Sequence, residues 1–348
     1  MKKNKIYIIG AIVLAVGIGI FAIGFSMLGF NMMNLTTEPK YEEKSYTAET
    51  EIKELYVTDS NVEVIINKSG DGKTRVEYAE NEKNFYEITE KNGTLNIQKK
   101  TSKNWLDYMF NMSFYWPKLI IEVPEKLSGD ISVTTSNSGI SINGISAAEA
   151  ELDTSNSKLE VVDCTFSGSL ETKSSNGSID LTDVKAGGEI LSRTSNNHLN
   201  LKNVESAGFD GESSNGSVVM ENVKVRGKIT CGTSNNYLNI LDVSCVSFEG
   251  NSSNGGVKLE NLTAKEDVYA KTSNNGVEIS NIAFGTELTL INSNGGIRGT
   301  VAGSIGDYSF DCDTSNGECN LPKNMESGPK KIKMKSSNSN IEVDFTNK

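Results

Sequence analysis

The sequence predicts an all-β fold: a parallel β-solenoid of about eleven regular rungs of roughly twenty residues, preceded by one N-terminal transmembrane helix. Three observations carry this prediction. A Ser-Asn pair recurs at near-constant spacing through the second half and more of the chain. Apolar side chains hold fixed offsets from each of those asparagines. A long uncharged run stands near the N-terminus, behind a cluster of lysines.

The corner asparagines are Asn137, Asn156, Asn176, Asn196, Asn215, Asn235, Asn254, Asn274, Asn294, Asn316 and Asn338, spaced 19 to 22 residues apart. Each follows a serine, and usually a Thr or Ser stands before that. Three residues after the corner lies an apolar position (Ile140, Leu159, Ile179, Leu199 and onward). A second lies two residues further on (Ile142, Val161, Leu181, Leu201). A step of two places both on one face of a strand. A third column lies six residues before the corner (Leu170, Ile190, Phe209, Ile229). Each rung therefore reads as two short strands meeting at the Ser-Asn corner. Seven residues on, Asp163, Asp183, Asn203, Asn222, Asp242, Asn261 and Asn281 mark a second bend. Asn and Asp tolerate left-handed dihedrals, so both Asx columns are expected at bends, with Gly177, Gly216, Gly255, Gly276 and Gly295 supporting tight turns. One rung cannot bury enough surface to fold alone, and stacking supplies the missing core. The asparagines are then a structural ladder, with Asn338, last in the chain, expected at its end.

The N-terminal part is organised differently. Lys2, Lys3 and Lys5 form a basic tip over residues 1–5, and residues 6–30 carry no charge. At 1.5 Å per residue that run is longer than the ~30 Å hydrocarbon core. The preceding lysines orient the N-terminus to the cytoplasm and the solenoid outside. The competing reading, a cleaved signal peptide, rests on a small-residue site at Ala22-Ile23-Gly24 but fits a shorter apolar region. Residues 31–50 read as a polar stalk. Residues 51–130 read as an irregular β-rich cap with the first turns, including a hairpin at Asn92-Gly93, and 131–348 as the regular solenoid.

Composition narrows the function. The net charge of −11 argues against nucleic-acid binding. His198 is the only histidine, which disfavours Ser-His-Asp and Cys-His catalysis and His-rich metal sites. The five cysteines show no CxxC spacing. No cofactor is implied. Cys312 and Cys319 flank one corner and could pair across it. Cys231 shares the inward column of Cys312, which favours buried thiols instead.

Each candidate site also fits a plain structural role. The outward acids Asp180, Asp210, Glu221 and Glu260 are scattered along the stack, as solvated faces would be. A polysaccharide-active enzyme is the alternative they leave open. Thr135, Thr154, Thr194, Thr233, Thr272 and Thr314 alternate with serines beside the corner, unlike a flat ice-binding array. The strongest departure from the repeat is Trp105, Tyr108, Phe110, Phe114, Tyr115 and Trp116, which hold both tryptophans of the chain. This cluster is a candidate patch for an envelope glycan, a surface protein or the membrane interface, or else a cover for the end of the core.

The lead-in Lys118-Leu119-Ile120-Ile121-Glu122-Val123-Pro124, then Ile131-Ser132-Val133, then blocks such as Ser174-Ser175-Asn176-Gly177 with Ile179-Asp180-Leu181, resemble the bacterial putative-adhesin family. This is a domain of unknown function found in membrane-anchored proteins. The likeness spans roughly residues 50–345. Some relatives are linked to Lia-type envelope-stress operons. The resemblance implies a non-enzymatic surface role, in adhesion or envelope sensing, and offers no catalytic residues to carry over. A passive structural spacer is the remaining alternative.

Overall fold

The computed structural model describes residues 14–23, 26, 40–102, 117–322 and 328–347. It is a parallel β-solenoid of about ten turns. Among the described residues the strands form two long sheets, one of eighteen strands and one of fourteen. Alternation of apolar and polar residues drives this shape. Along each strand inward side chains are buried and outward ones are not, as in Leu170–Ser174 and Val218–Val225. Successive rungs pair in register, so like stacks on like: Ile179 opposite Leu199, then Val218, then Leu238. The result is one continuous core from Ile52 to Val343.

Rung order in space departs from chain order at both ends. Strands β1 (Glu42–Thr47), β2 (Glu54–Thr58), β3 (Glu63–Lys68), β4 (Arg75–Glu80), β5 (Asn84–Lys91), β6 (Thr94–Thr101), β7 (Lys118–Val123), β8 (Ile131–Thr134) and β9 (Ile140–Asn143) make the N-terminal end. The rung of β2 and β3 is laid down first, yet it lies between β6 and β8 in one sheet and between β7 and β9 in the other. The C-terminal end mirrors this. Lys330–Ser336 pairs on one side with Glu287–Asn292 and on the other with Tyr308–Thr314. The last rung of the chain is thus inserted beneath the rung that precedes it. Asn316, not Asn338, ends the asparagine ladder, which corrects the expectation from chain order.

The N-terminal end is closed by antiparallel strands. β4 pairs with β7, β1 pairs with β4, and β5 pairs with β6. Asn92 and Gly93 both adopt positive φ, 56° and 84°, and form the expected hairpin turn between β5 and β6. Residues 42–47, expected within a stalk, belong to this cap as β1. Glu90 fastens the link from β1 to β2. Its carboxylate accepts from the Tyr46 hydroxyl at 2.7 Å and from the backbone N–H groups of Glu49 and Thr50 at 3.0 and 2.8 Å.

Residues 14–23 are helical and their side chains are largely exposed. Among the described residues no helix is long and apolar enough to cross a membrane. Most of the rest of the expected span, residues 6–13, 24, 25 and 27–30, lies outside the described residues. The aromatic cluster Trp105, Tyr108, Phe110, Phe114, Tyr115 and Trp116 also lies outside them.

The corner glycines have a different cause from the one their turn position suggests. Only the second Asx column is left-handed, with φ of 51–55° from Asp163 to Asn281. The glycines after the first corner do not have positive φ; they are forced by close approach. A Cβ on Gly177, Gly216 or Gly255 would stand 1.7–1.9 Å from a carbonyl oxygen of the preceding rung. Gly276, one residue further from its corner, has no heavy atom nearer than 3.4 Å to such a Cβ.

Two outcomes are expected. Gly216→Ala destabilises by about 1–3 kcal/mol, while Gly276→Ala leaves the denaturation midpoint unchanged or slightly raised; equal losses would show that close approach is not the cause. The Thr50 hydroxyl, then the Tyr46 hydroxyl and the Glu49 and Thr50 N–H groups, all donating to Glu90, hold its pKa at about 2, against the usual 4.5. A depressed carboxyl contributes stability above its unfolded pKa and loses it as pH falls through the folded value. Denaturation midpoints of the cap should therefore fall between about pH 4.5 and 2, and Glu90→Gln should flatten that fall.

Candidate functional site

The ladder asparagines are brought together without exception. Each Nδ2 donates to the Oδ1 of the neighbouring rung, at 2.6–2.8 Å, in the order Asn316, Asn338, Asn294, Asn274, Asn254, Asn235, Asn215, Asn196, Asn176, Asn156, Asn137. The chain of amides ends on Asn61, which accepts from Asn137 at 2.7 Å. Asn61 is a further corner that the spacing did not reveal, because 76 residues separate it from its neighbour. A Ser60-Asn61 pair between strand-like segments was the available signal. All the bonds point the same way, and every amide of the interior is used as both donor and acceptor.

Beneath the amides runs a buried hydroxyl column with a two-rung period. Ser174, Ser213 and Ser252 each accept the N–H of the corner glycine three residues on, at 2.9–3.0 Å. Thr194, Thr233 and Thr272 donate to the carbonyls of those same glycines, at 2.7–2.8 Å, just as the three serines donate to the carbonyls of Ser157, Asn197 and Asn236, at 2.8–3.2 Å. The threonines of this column, apart from the half-buried Thr314 of the outermost rung, are interior: Thr154 and Thr272 are fully buried. The buried ones present no surface to ice.

The second Asx column is a broken ladder. Asn203 donates to Asp183 and Asn222 to Asn203; Asn261 donates to Asp242 and Asn281 to Asn261. A carboxylate can only accept. Asp183 and Asp242 therefore each start a run, Asp183 cannot donate to Asp163, and Asp242 cannot donate to Asn222.

The outward acids are engaged rather than convergent. Asp180 accepts from Asn200 at 2.7 Å and pairs with Lys158 at 3.1 Å. Asp210 pairs with Arg193, Glu221 with Lys202 at 3.5 Å, and Glu260 with Lys258 at 3.0 Å. His198 Nε2 lies 3.8 Å from Asp180, too far for a hydrogen bond. Among the described residues no group of three His, Cys, Asp or Glu could hold a metal ion.

The cysteines divide into two classes. Cys312 and Cys319 form a disulfide across the corner of the outermost C-terminal rung, with Cα atoms 6.7 Å apart. The expectation of buried thiols is corrected for this pair, because the two inward positions face each other at the end of the stack. Cys164, Cys231 and Cys245 are free and buried. Burial pushes the Cys245 thiol up to about 12, so it is unsuited to nucleophilic work.

Residues 52–347 match the family model described as Toastrack DUF4097. The chain belongs to this family. The fold resembles several solved structures at low identity. One is a putative adhesin from Parabacteroides distasonis (11% identical, covering 88% of this chain and 99% of that chain, TM-score 0.37). Another is a putative adhesin from Bacteroides fragilis (13%, 89% and 99%, TM-score 0.27). A third is a putative lipid binding protein from Parabacteroides distasonis (12%, 87% and 97%, TM-score 0.28). No curated protein matches the sequence. The Toastrack assignment covers the regular rungs and the cap from β2 onward, but not β1.

Within this Toastrack solenoid, ladder position sets the cost of losing an amide. Asn235 makes two ladder bonds and Asn316 one. At roughly 1 kcal/mol per bond, Asn235→Ala should cost about twice what Asn316→Ala costs in chemical denaturation. Asp242→Asn should raise the midpoint, by about 1 kcal/mol, since its new amide can donate to Asn222 and still accept from Asn261. A loss of stability in that variant would refute the broken-ladder account.

Proposed function

We propose that the protein is a non-enzymatic solenoid held at the cell surface by its N-terminal helix, binding a component of the cell envelope or of a neighbouring surface. The observation that carries this reading is the uncharged run 6–30 behind Lys2, Lys3 and Lys5, in the same chain as a disulfide-closed solenoid. Disulfides persist outside the cytoplasm, which agrees with the orientation the lysines favour. The ion-paired outward acids support binding or display over glycan cleavage. In the sequence the aromatic segment 105–116 stands between β6 and β7, and Trp105, Tyr108, Phe110, Phe114, Tyr115 and Trp116 are the candidate contact residues for an envelope glycan or surface protein.

The full-length protein should sediment with membranes, resist high salt and be released by detergent. Trypsin added to intact cells should free the solenoid. A soluble chain, or one protected from external trypsin, would overturn the reading. Trp105→Ala with Trp116→Ala should reduce capture by purified envelope; unchanged capture would remove the aromatic segment from the contact.

A further inference from the structure

Beyond the ladder, an outward depression lies in the middle of the stack. It has a volume of about 340 Å³ and is lined by Tyr237, Asn239, Gly256, Lys258, Gly276 and Glu278, among others. Tyr237 forms one wall, with about half of its surface (51%) exposed. The far wall is the outward row Asn239, Lys258 and Glu278, which the strand register places side by side. Lys258 is paired with Glu260 and Glu278 with Arg298, so that wall presents neutralised donors and acceptors. The Asn239 side chain forms no hydrogen bond with any described residue.

The floor is open because of what stands two residues after the corner. In neighbouring rungs that position carries Lys158, Ser178, His198, Ser217 and Tyr237. In the next three rungs it carries Gly256, Gly276 and Gly296, as the first regular rung carries Gly139, and Gly256 and Gly276 are the two beside Tyr237. Neither has positive φ, and a Cβ on either would meet nothing closer than 3.4 Å. Backbone geometry does not require glycine there, in contrast to Gly216 and Gly255. The depression is an absence of side chains beside an exposed ring, not a by-product of folding.

We propose that this depression is a subsite for a neutral oligosaccharide, lying along the stack with one sugar ring on the face of Tyr237. A sugar ring offers an apolar face to an aromatic ring and hydroxyls at its rim. The site supplies those complements in that order: the Tyr237 ring and glycine backbone beneath, then the Asn239 amide and the paired charges of Lys258 and Glu278 at the side. The rungs are about 4.8 Å apart, so the three rungs give the groove room for a short extended chain. The net charge of −11 disfavours a polyanionic glycan. This assignment rests on the surface-binding reading above and gives it a ligand class and a place.

The test is calorimetric titration of the full-length protein with chitotetraose, cellotetraose and a heparin tetrasaccharide. At least one neutral tetrasaccharide should bind, and heparin should not. Tyr237→Ala should weaken binding about ten-fold, and Gly276→Tyr, which fills the groove, should abolish it with the denaturation midpoint unchanged. Binding that neither variant alters would overturn the subsite while leaving surface binding intact. So would capture by whole envelope with no affinity for either neutral sugar. Unfolding of Gly276→Tyr would also overturn it, by showing that the glycine is structurally required. Failure to associate with envelope at all would instead count against the broader reading.

Discussion

Everything in this molecule follows from stacking identical corners one inter-strand spacing apart. At that spacing a corner must satisfy the corner below it and the corner above it at once. Asparagine does so with a single side chain, since its amide donates from one atom and accepts at another. Serine and threonine could not span the gap in the same way, and aspartate lacks the donor. Where aspartate does stand, at Asp183 and Asp242, the ladder begins afresh. The one-way run of amides from Asn316 to Asn61 therefore fixes the register of the strands on either side. Register in turn fixes which side chains face the core, because a slip of one residue would turn every apolar column outward.

The same spacing imposes a second order beneath the first. Corner backbones approach so closely that a Cβ on one rung collides with a carbonyl of the rung before it, and alternate rungs answer with glycine. The buried hydroxyl then alternates too. Serine accepts the glycine N–H, and threonine on the next rung donates to the glycine carbonyl. The effective repeat through the middle of the stack is thus two rungs, not one. A buried polar group left without such a partner would cost about 1–3 kcal/mol, so the two residue types must keep step with each other.

Much of this was legible in the sequence, and what was not has identifiable causes. The rungs, the core columns and the second bend follow from local periodicity, so Ile179, Leu199 and Val218 could be placed from offsets alone. The alternation of Ser174, Thr194 and Ser213 was visible as a pattern, but its reason lies in contacts between rungs. Rung order at the ends was not legible. The 22-residue spacing to Asn338 looks like an ordinary step, yet Asn338 bonds to Asn294, 44 residues away. The cysteine pair was hidden for the same reason, since Cys312 occupies a core column whose end is known only once the stack is ordered. At the candidate subsite, Gly276 reads as a turn residue; only the space around it separates it from the glycines that sterics require.

The inverted order at the two ends addresses a weakness of every open solenoid. A terminal rung has neighbours on one side only, and a free chain end there would fray. Here neither the first-laid nor the last-laid rung is terminal. The rung of β2 and β3 and the rung of residues 330–345 are each clasped on both faces. The exposed rungs are internal to the sequence, tethered at both of their ends. One carries antiparallel strands that close its edge, and the other carries the Cys312–Cys319 disulfide. Fraying a rung tethered at both ends frees fewer conformations than fraying a chain terminus, so less entropy is gained. A stack secured in this way can leave its middle faces free of any capping duty. That freedom allows two of its rungs to forgo side chains beside Tyr237 without a structural penalty.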